Sequence, residues 1–338
     1  MATSRVPIAF IVDDAPVNAA YLARAQMQER GMPISTRGSF GQWLSRWQEM
    51  AKAAVTPTDF WRRFIEWAQQ AGVKGKFTFL PCPGGLGRVD RRVEGYTDAE
   101  LADLLSLVRD ECTKNFDITP EIFTHTLAWD AAKEKMLPIT EWEWTYDKDE
   151  ATLTEYMAGA LRILRNVGIT ATGITQPCNF RGDEQVYARS VLGALKDVNG
   201  ISRTFYFLHA DGQSPRVPCP LSIADAERDE YVVSVTSGSR ADEPFWDTIY
   251  GAGEVDEMVE YFVTKDGTGG RLVELCRSGG PVVFHGHSTT LYSNGTEKGF
   301  AALKEVVRRV DEHLGDAVQW MNMTELADWA IDEAEGSE

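Results

Sequence analysis

The sequence predicts an α/β protein, a single TIM-like (β/α)7-8 barrel with insertions, and three observations predict it. Short apolar runs alternate with amphipathic stretches along the 338 residues, and that spacing suits roughly seven or eight parallel βα units. No composition break suitable for a linker divides the chain, so residues 1–330 read as one domain and 331–338 as an acidic tail. No G-x-G-x-x-G or Walker loop follows any strand, which favours a closed or nearly closed barrel over a nucleotide-binding sheet.

The first strand is Pro7–Val12, apolar throughout and so buried on both faces. It ends at Asp13 and Asp14. Residues 15–57 form an insertion in which Trp43, Leu44 and Trp47 share helical spacing, the pattern of core packing. A clearer helix starts near Thr58, carries Phe60, Trp61, Phe64, Ile65 and Trp67, and ends at Ala71-Gly72. Lys76–Leu80 follows as the second strand, broken by Pro81-Cys82-Pro83-Gly84-Gly85. Helix 98–112 places Leu101, Leu104, Leu105 and Val108 on one face, and Pro120–His125 reads as the strand after it. A Trp-rich insertion, 129–150, contains Trp129, Trp142 and Trp144. Helix 151–166 then precedes strand 169–174, and helix 184–197 precedes strand 204–208. Strand 231–235, helices 255–263 and 269–277, strand 281–285, helix 298–313 and strand 317–320 complete the pattern. The tail from Ile331 is expected to fray.

Composition narrows the function. The net charge of -17 argues against polyanionic partners that need a basic face, so neither nucleic acid nor an anionic membrane is expected. The five cysteines are widely separated and form no C-x-x-C pair, which argues against a structural zinc knuckle and a disulfide framework. No signal-peptide core or transmembrane run is visible, and a cytoplasmic location is expected. The sequence leaves the oligomeric state open.

The polar residues carry the functional signal. Two carboxylates at the mouth of a core are costly unless a metal, a cation or a proton stabilises them. The bland alternative is that Asp13 and Asp14 turn the chain or cap a helix. His125, His209, His285 and His287 also follow apolar strands, whereas His313 sits in a helix. If all these strands are parallel, their ends share one rim, where barrel enzymes place their chemistry.

Phe10-Ile11-Val12-Asp13-Asp14-Ala15-Pro16 resembles the first motif of the polysaccharide deacetylase superfamily, carbohydrate esterases that share a distorted barrel. Val73–Phe79, Ile122-Phe123-Thr124-His125-Thr126, Val282–His285 and Val318–Leu326 are similar to the family's later strands and motifs. The resemblance implies a metal-dependent hydrolase that removes N- or O-acetyl groups from a carbohydrate. It implies Asp13 as general base, His285 as general acid, and Asp14 and His125 as metal ligands. Two positions depart from the family. Trp129 stands where a second histidine ligand belongs, and indole nitrogen is only a donor. Asp130, next to it, is the substitute third ligand if the loop bulges by one residue. Gln176 stands where an arginine would orient the base. A mixed Asp/His site suits zinc first among divalent ions.

For substrate contact the candidates are Trp129, Glu141, Glu143, Trp246 and His287, with packing as the rival role for the aromatic residues. Three other readings compete. One is a glycoside hydrolase using Asp13 and Asp14 with Glu141 or Glu143. Another is a metal-independent cyclic-amide hydrolase on the same barrel. The third is a non-catalytic carbohydrate-binding barrel.

Overall fold

The computed structural model describes residues 5–17, 31, 55–178, 180–208, 219–238, 243–246, 248 and 253–336. Most of the first insertion, with Trp43, Leu44 and Trp47, lies outside the described residues, as does His209.

In chain order the strands are β1 (Val6–Ala15), β2 (Gly75–Phe79), β3 (Gly87–Arg88), β4 (Arg92–Val93), β5 (Phe116–Thr119), β6 (Leu127–Asp130), β7 (Lys135–Thr140), β8 (Gly173–Thr175), β9 (Arg203–Leu208), β10 (Leu221–Asp225), β11 (Glu230–Thr236), β12 (Val282–His287) and β13 (Val318–Trp320). The helices are α1 (Thr58–Gln70), α2 (Asp98–Asp110), α3 (Glu141–Thr145), α4 (Glu150–Asn166), α5 (Glu184–Asn199), α6 (Glu243–Trp246), α7 (Val255–Phe262), α8 (Arg271–Arg277), α9 (Ser288–Tyr292), α10 (Lys298–Leu314) and α11 (Met323–Glu335). Among these residues, no helix is long and apolar enough to cross a membrane.

The fold is mixed α/β with parallel strands. One sheet has the order β12-β1-β2-β5, with β13 also paired to β1, and the other has the order β10-β11-β9-β8. All pairings in them are parallel except β10 with β11. The two sheets meet at both edges through isolated backbone bonds. Thr172 N–H donates to Ile118 O at 3.0 Å, Thr175 N–H to Pro120 O at 2.9 Å, and Gly238 N–H to Val283 O at 2.8 Å. No ladder joins the sheets among the described residues, so a closed barrel is not shown.

Strand alternation sorts the core. Ile8, Phe10 and Val12 of β1 pack in the main cluster with the helices, as strand periodicity requires. Ala9 and Ile11 point the other way, into a cluster with Phe205, Phe207, Val233, Val235 and Val283. Met323, Leu326, Ala327, Ala330 and Ile331 of α11 pack into that same cluster. The strands approach closely where β1 meets β2, and Gly75 is required there. A Cβ at that position would lie 1.8 Å from Phe10 O.

Three sequence expectations change. Pro120–His125 is not a strand; β5 ends at Thr119, and the N–H groups of Phe123, Thr124 and His125 go to the Glu141 carboxylate instead of a ladder. The Trp-rich insertion is ordered as the β6–β7 hairpin and α3. The end of the chain does not fray at Ile331: α11 runs to Glu335, Ile331 is buried, and Tyr231 O–H donates to Glu335 at 2.6 Å.

Candidate active site

The inner face of the parallel strands changes character along its length. Below it is the apolar cluster of Ala9, Ile11 and Phe205. One step further along β1, on the same face, stands Asp13, with no exposed surface. Its charge is met by Lys76 of β2, also fully buried, at 2.7 Å. Thr78 O–H donates to the same Asp13 oxygen at 2.7 Å. The Lys76 ammonium donates further to Thr78 and Thr175, and Thr175 bonds Thr119 at 2.8 Å. This network ties β1, β2 and β5 of one sheet to β8 of the other. Phe207 covers the ammonium, whose nitrogen lies 4.7 Å from the ring centre.

The register of β12 on β1 sets Asp13 beside His287 and Ile11 beside His285. A carboxylate oxygen of Asp13 and one ring nitrogen each of His285 and His287 lie within 4.8 Å of one another. Ser237, just after β11, hydrogen-bonds His285 Nδ1 at 2.8 Å and so fixes the ring. The three groups are poised for proton traffic: a carboxylate held by a lysine and two imidazoles.

A second cluster lies at the same strand ends. Asp14 would point away from Asp13 in a regular strand, but its φ of 65° lies in the left-handed region. His125, at φ 66°, and Ile122, at φ 46°, share that conformation. For a β-branched residue such as Ile122 it is a true outlier. Asp14, Glu121 and His125 bring one ligand atom each within 4.8 Å of one another. His125 Nδ1 stands 2.6 Å from Glu121 Oε1 and 3.5 Å from Asp14 Oδ1. Burial pushes the Asp14 carboxyl up to about 7, against the pull of His125. Burial also opposes charge on His125, but Asp14 and Glu121 overcome it and hold the imidazole well above its usual value. The Cys178 thiol interacts with the same ring.

The structure brings Asp13, His285 and His287 into one cluster, and Asp14 and His125 into another with Glu121. Other candidates fall elsewhere. Asp130 is not in either cluster; its carboxylate pairs with Lys133 at 2.8 Å. Trp129 is buried in the main core, where its N–H of the backbone donates to Tyr156 at 2.8 Å. Glu141 lines no surface. It is fully buried and accepts from Tyr156 and from three backbone N–H groups of the loop that carries His125. Glu143 is exposed in the first turn of α3, where Thr140 bonds it. Trp246 ends α6, and its side chain lies outside the described residues. Gln176 does not reach Asp13; its amide donates to Thr145 at 3.0 Å. Asp13 is held by Lys76 instead.

Sequence reasoning missed Lys76, Thr78, Ser237 and Glu121. A lysine two residues from a threonine in an otherwise apolar strand was the signal for the first two. For Glu121 the sequence held no local signal, because the turns at Ile122 and His125 that bring it to His125 follow no strand or helix period.

Among solved structures, the chain is similar to a GH57-type branching enzyme from the archaeon Pyrococcus horikoshii, at 12% identity and TM-score 0.49, over 97% of this chain and 70% of that one. It is also similar to a GH57 branching enzyme from Thermococcus kodakaraensis, at 11% identity and TM-score 0.36, over 91% of this chain and 69% of that one. No family model and no curated protein matches the sequence. The neighbours belong to glycoside hydrolase family 57 and not to the polysaccharide deacetylases, so the resemblance drawn from the short motifs is corrected. Trp129 and Asp130, where its second motif already departed, stand outside both polar clusters.

Proposed function

We propose that the chain is a hydrolase acting on a carbohydrate, with Asp13 as general base and His285 as general acid. The observation that carries the reading is the Asp13–His285–His287 triangle, held by Lys76 on one side and Ser237 on the other. Asp13 takes a proton from water as the water oxygen bonds to the carbon under attack. The bond to the leaving oxygen breaks, and protonated His285 supplies that oxygen with its proton. His287, on the same strand two residues on, faces the same atoms and orients the substrate. A carbohydrate is the substrate class in keeping with the two structure neighbours, both GH57 branching enzymes. With the deacetylase resemblance set aside, the glycosidic bond is the first target. The strands that carry these residues would then form a distorted barrel, closed through the isolated bonds at β5–β8 and β11–β12.

The test is a panel of oligosaccharides and acetylated sugars, read for new reducing ends and for acetate. Asp13→Asn and His285→Ala should each lower turnover by about 10²–10⁴-fold with little change in KM, in protein shown by circular dichroism to be folded. Acetate without reducing ends would move the same residues to an acyl target. Full turnover in both variants would sink the assignment.

A further inference from the structure

We propose that Asp14, Glu121 and His125 form a binding site for a divalent cation, in which Glu121 is a ligand that neither the sequence nor any neighbour assigns. The first ground is that buried polar atoms converge there without partners. Glu121 has no exposed surface, and neither of its carboxylate oxygens has a hydrogen-bond partner among the described residues. Asp14 Oδ1 and His125 Nδ1 are also buried without one. The 2.6 Å contact between His125 Nδ1 and Glu121 Oε1 has the distance of a hydrogen bond but not its alignment. Buried carboxylates are normally hydrogen-bonded or paired, because their desolvation is costly. One ligand atom from each of the three residues lies within 4.8 Å of the other two, close enough for a single ion to bridge them.

The second ground is charge. Two carboxylates meet one imidazole, and no lysine or arginine forms an ion pair with either carboxylate among the described residues. The other candidate cluster, Asp13 with His285 and His287, differs in that respect: Lys76 already supplies its cation. A metal is therefore assigned to the Asp14 cluster and not to the Asp13 cluster.

The third ground is backbone strain. Asp14, Ile122 and His125 all hold positive φ, a conformation that non-glycine residues keep only where the surroundings enforce it. Each of these turns lies in a segment that carries a proposed ligand. Glu141 fixes the 122–126 loop by binding three of its N–H groups.

Two oxygens and one imidazole nitrogen suit zinc or manganese better than calcium or magnesium. Three protein ligands leave a coordination position for water or a substrate oxygen. The ligand set replaces Asp130, expected from the sequence, by Glu121. It does not depend on the reaction proposed above, and its test does not need a substrate.

The experiment uses the full chain, purified without a chelating tag. Mass spectrometry of the elements should find about one zinc or manganese per chain. After removal with a chelator, calorimetric titration with each metal alone should refill one site and raise the melting temperature. Glu121→Gln and Asp14→Asn should each weaken that binding by more than about 100-fold, beyond what the loss of an outer partner costs. Asp13→Asn should keep the stoichiometry. Absence of stoichiometric metal in the wild-type chain, with no melting shift in either titration, would overturn the proposal without recourse to any variant. Undiminished binding in both ligand variants would overturn it as well.

Discussion

Asp13 and Asp14 are neighbours in sequence and nearly equal in burial, yet the protein treats them oppositely. Asp13 keeps the alternation of β1, so its side chain stays on the inner face, where Lys76 and Thr78 meet it. Asp14 leaves the alternation through its positive φ, and its carboxylate turns toward Glu121 and His125. At the first position the chain provides the compensating cation. At the second it provides one imidazole, His125, and a further carboxylate, so two carboxylates share one cation. The difference teaches that one rim can carry two kinds of polar site. One is complete in the polypeptide alone, and the other is complete only with something bound.

The largest effect expected from this contrast is on stability. Lys76→Met removes one partner of a fully buried pair and leaves the other uncompensated, which costs about 3–5 kcal/mol. Denaturant unfolding should show that loss, and the double variant Lys76→Met with Asp13→Asn should recover most of it. Asp14→Asn, in metal-stripped protein, should behave with the opposite sign. It removes one of two carboxylates that share a single imidazole, one that burial already pushes up to about 7, so stability should hold or rise. A loss equal to that of Lys76→Met would break the comparison.

An intermediate effect belongs to Glu141. Its two oxygens accept bonds from Phe123, Thr124, His125 and Tyr156. Glu141→Gln keeps the shape but turns one acceptor into a donor that faces N–H groups. A loss of about 1.5–3 kcal/mol is expected, the range for hydrogen bonds to a charged group. If the 122–126 loop is what presents His125, metal affinity should fall in the same variant, although Glu141 is not a ligand. Unchanged affinity would show that the loop holds its form without this anchor.

The parts of the molecule legible in the sequence are those governed by local pattern. β1 runs three residues past its expected end, through Asp13 and Asp14 to Ala15, and β9, β11 and β12 are apolar runs whose positions match the expected ones within a residue or two. The amphipathic helices α1, α4, α5 and α10 do the same. Asp13, Asp14, His125, His285 and His287 were visible because each follows such a run. β5 was not seen, although Phe116-Asp117-Ile118-Thr119 alternates as a half-buried strand should. The apolar Ile122-Phe123 pair drew the assignment downstream, to a segment whose N–H groups are claimed by Glu141 from 16 to 18 residues away. Lys76 was hidden for a different reason. A lysine is read as solvated, and its place in an apolar strand two residues from Thr78 is a weak signal until the register shows Asp13 meeting it inside. Whether the strands close into a ring depends on single bonds between sheet edges, for which no sequence pattern exists.

The smallest expected effect concerns Asp130, and it sharpens the comparison most cheaply. The sequence suggested Asp130 as a ligand because it follows the position of a lost histidine. In the structure it ends β6 and turns the chain. Its oxygens take the backbone N–H of Lys133 at 3.0 Å and the ammonium of the same residue at 2.8 Å. A pair so close in sequence and at the surface contributes little. Asp130→Ala should therefore leave metal content, turnover and the unfolding midpoint where they are in the wild type. Glu121→Gln, a change of fewer atoms at a buried position, should weaken metal binding by more than about 100-fold. The two variants set adjacency in sequence against convergence in space as the rule for choosing ligands. Loss of metal in Asp130→Ala to the same degree as in Glu121→Gln would mean that the hairpin rearranges to reach the site. The contrast between a self-contained Asp13 and an incomplete Asp14 would then have to be redrawn around a four-residue cluster.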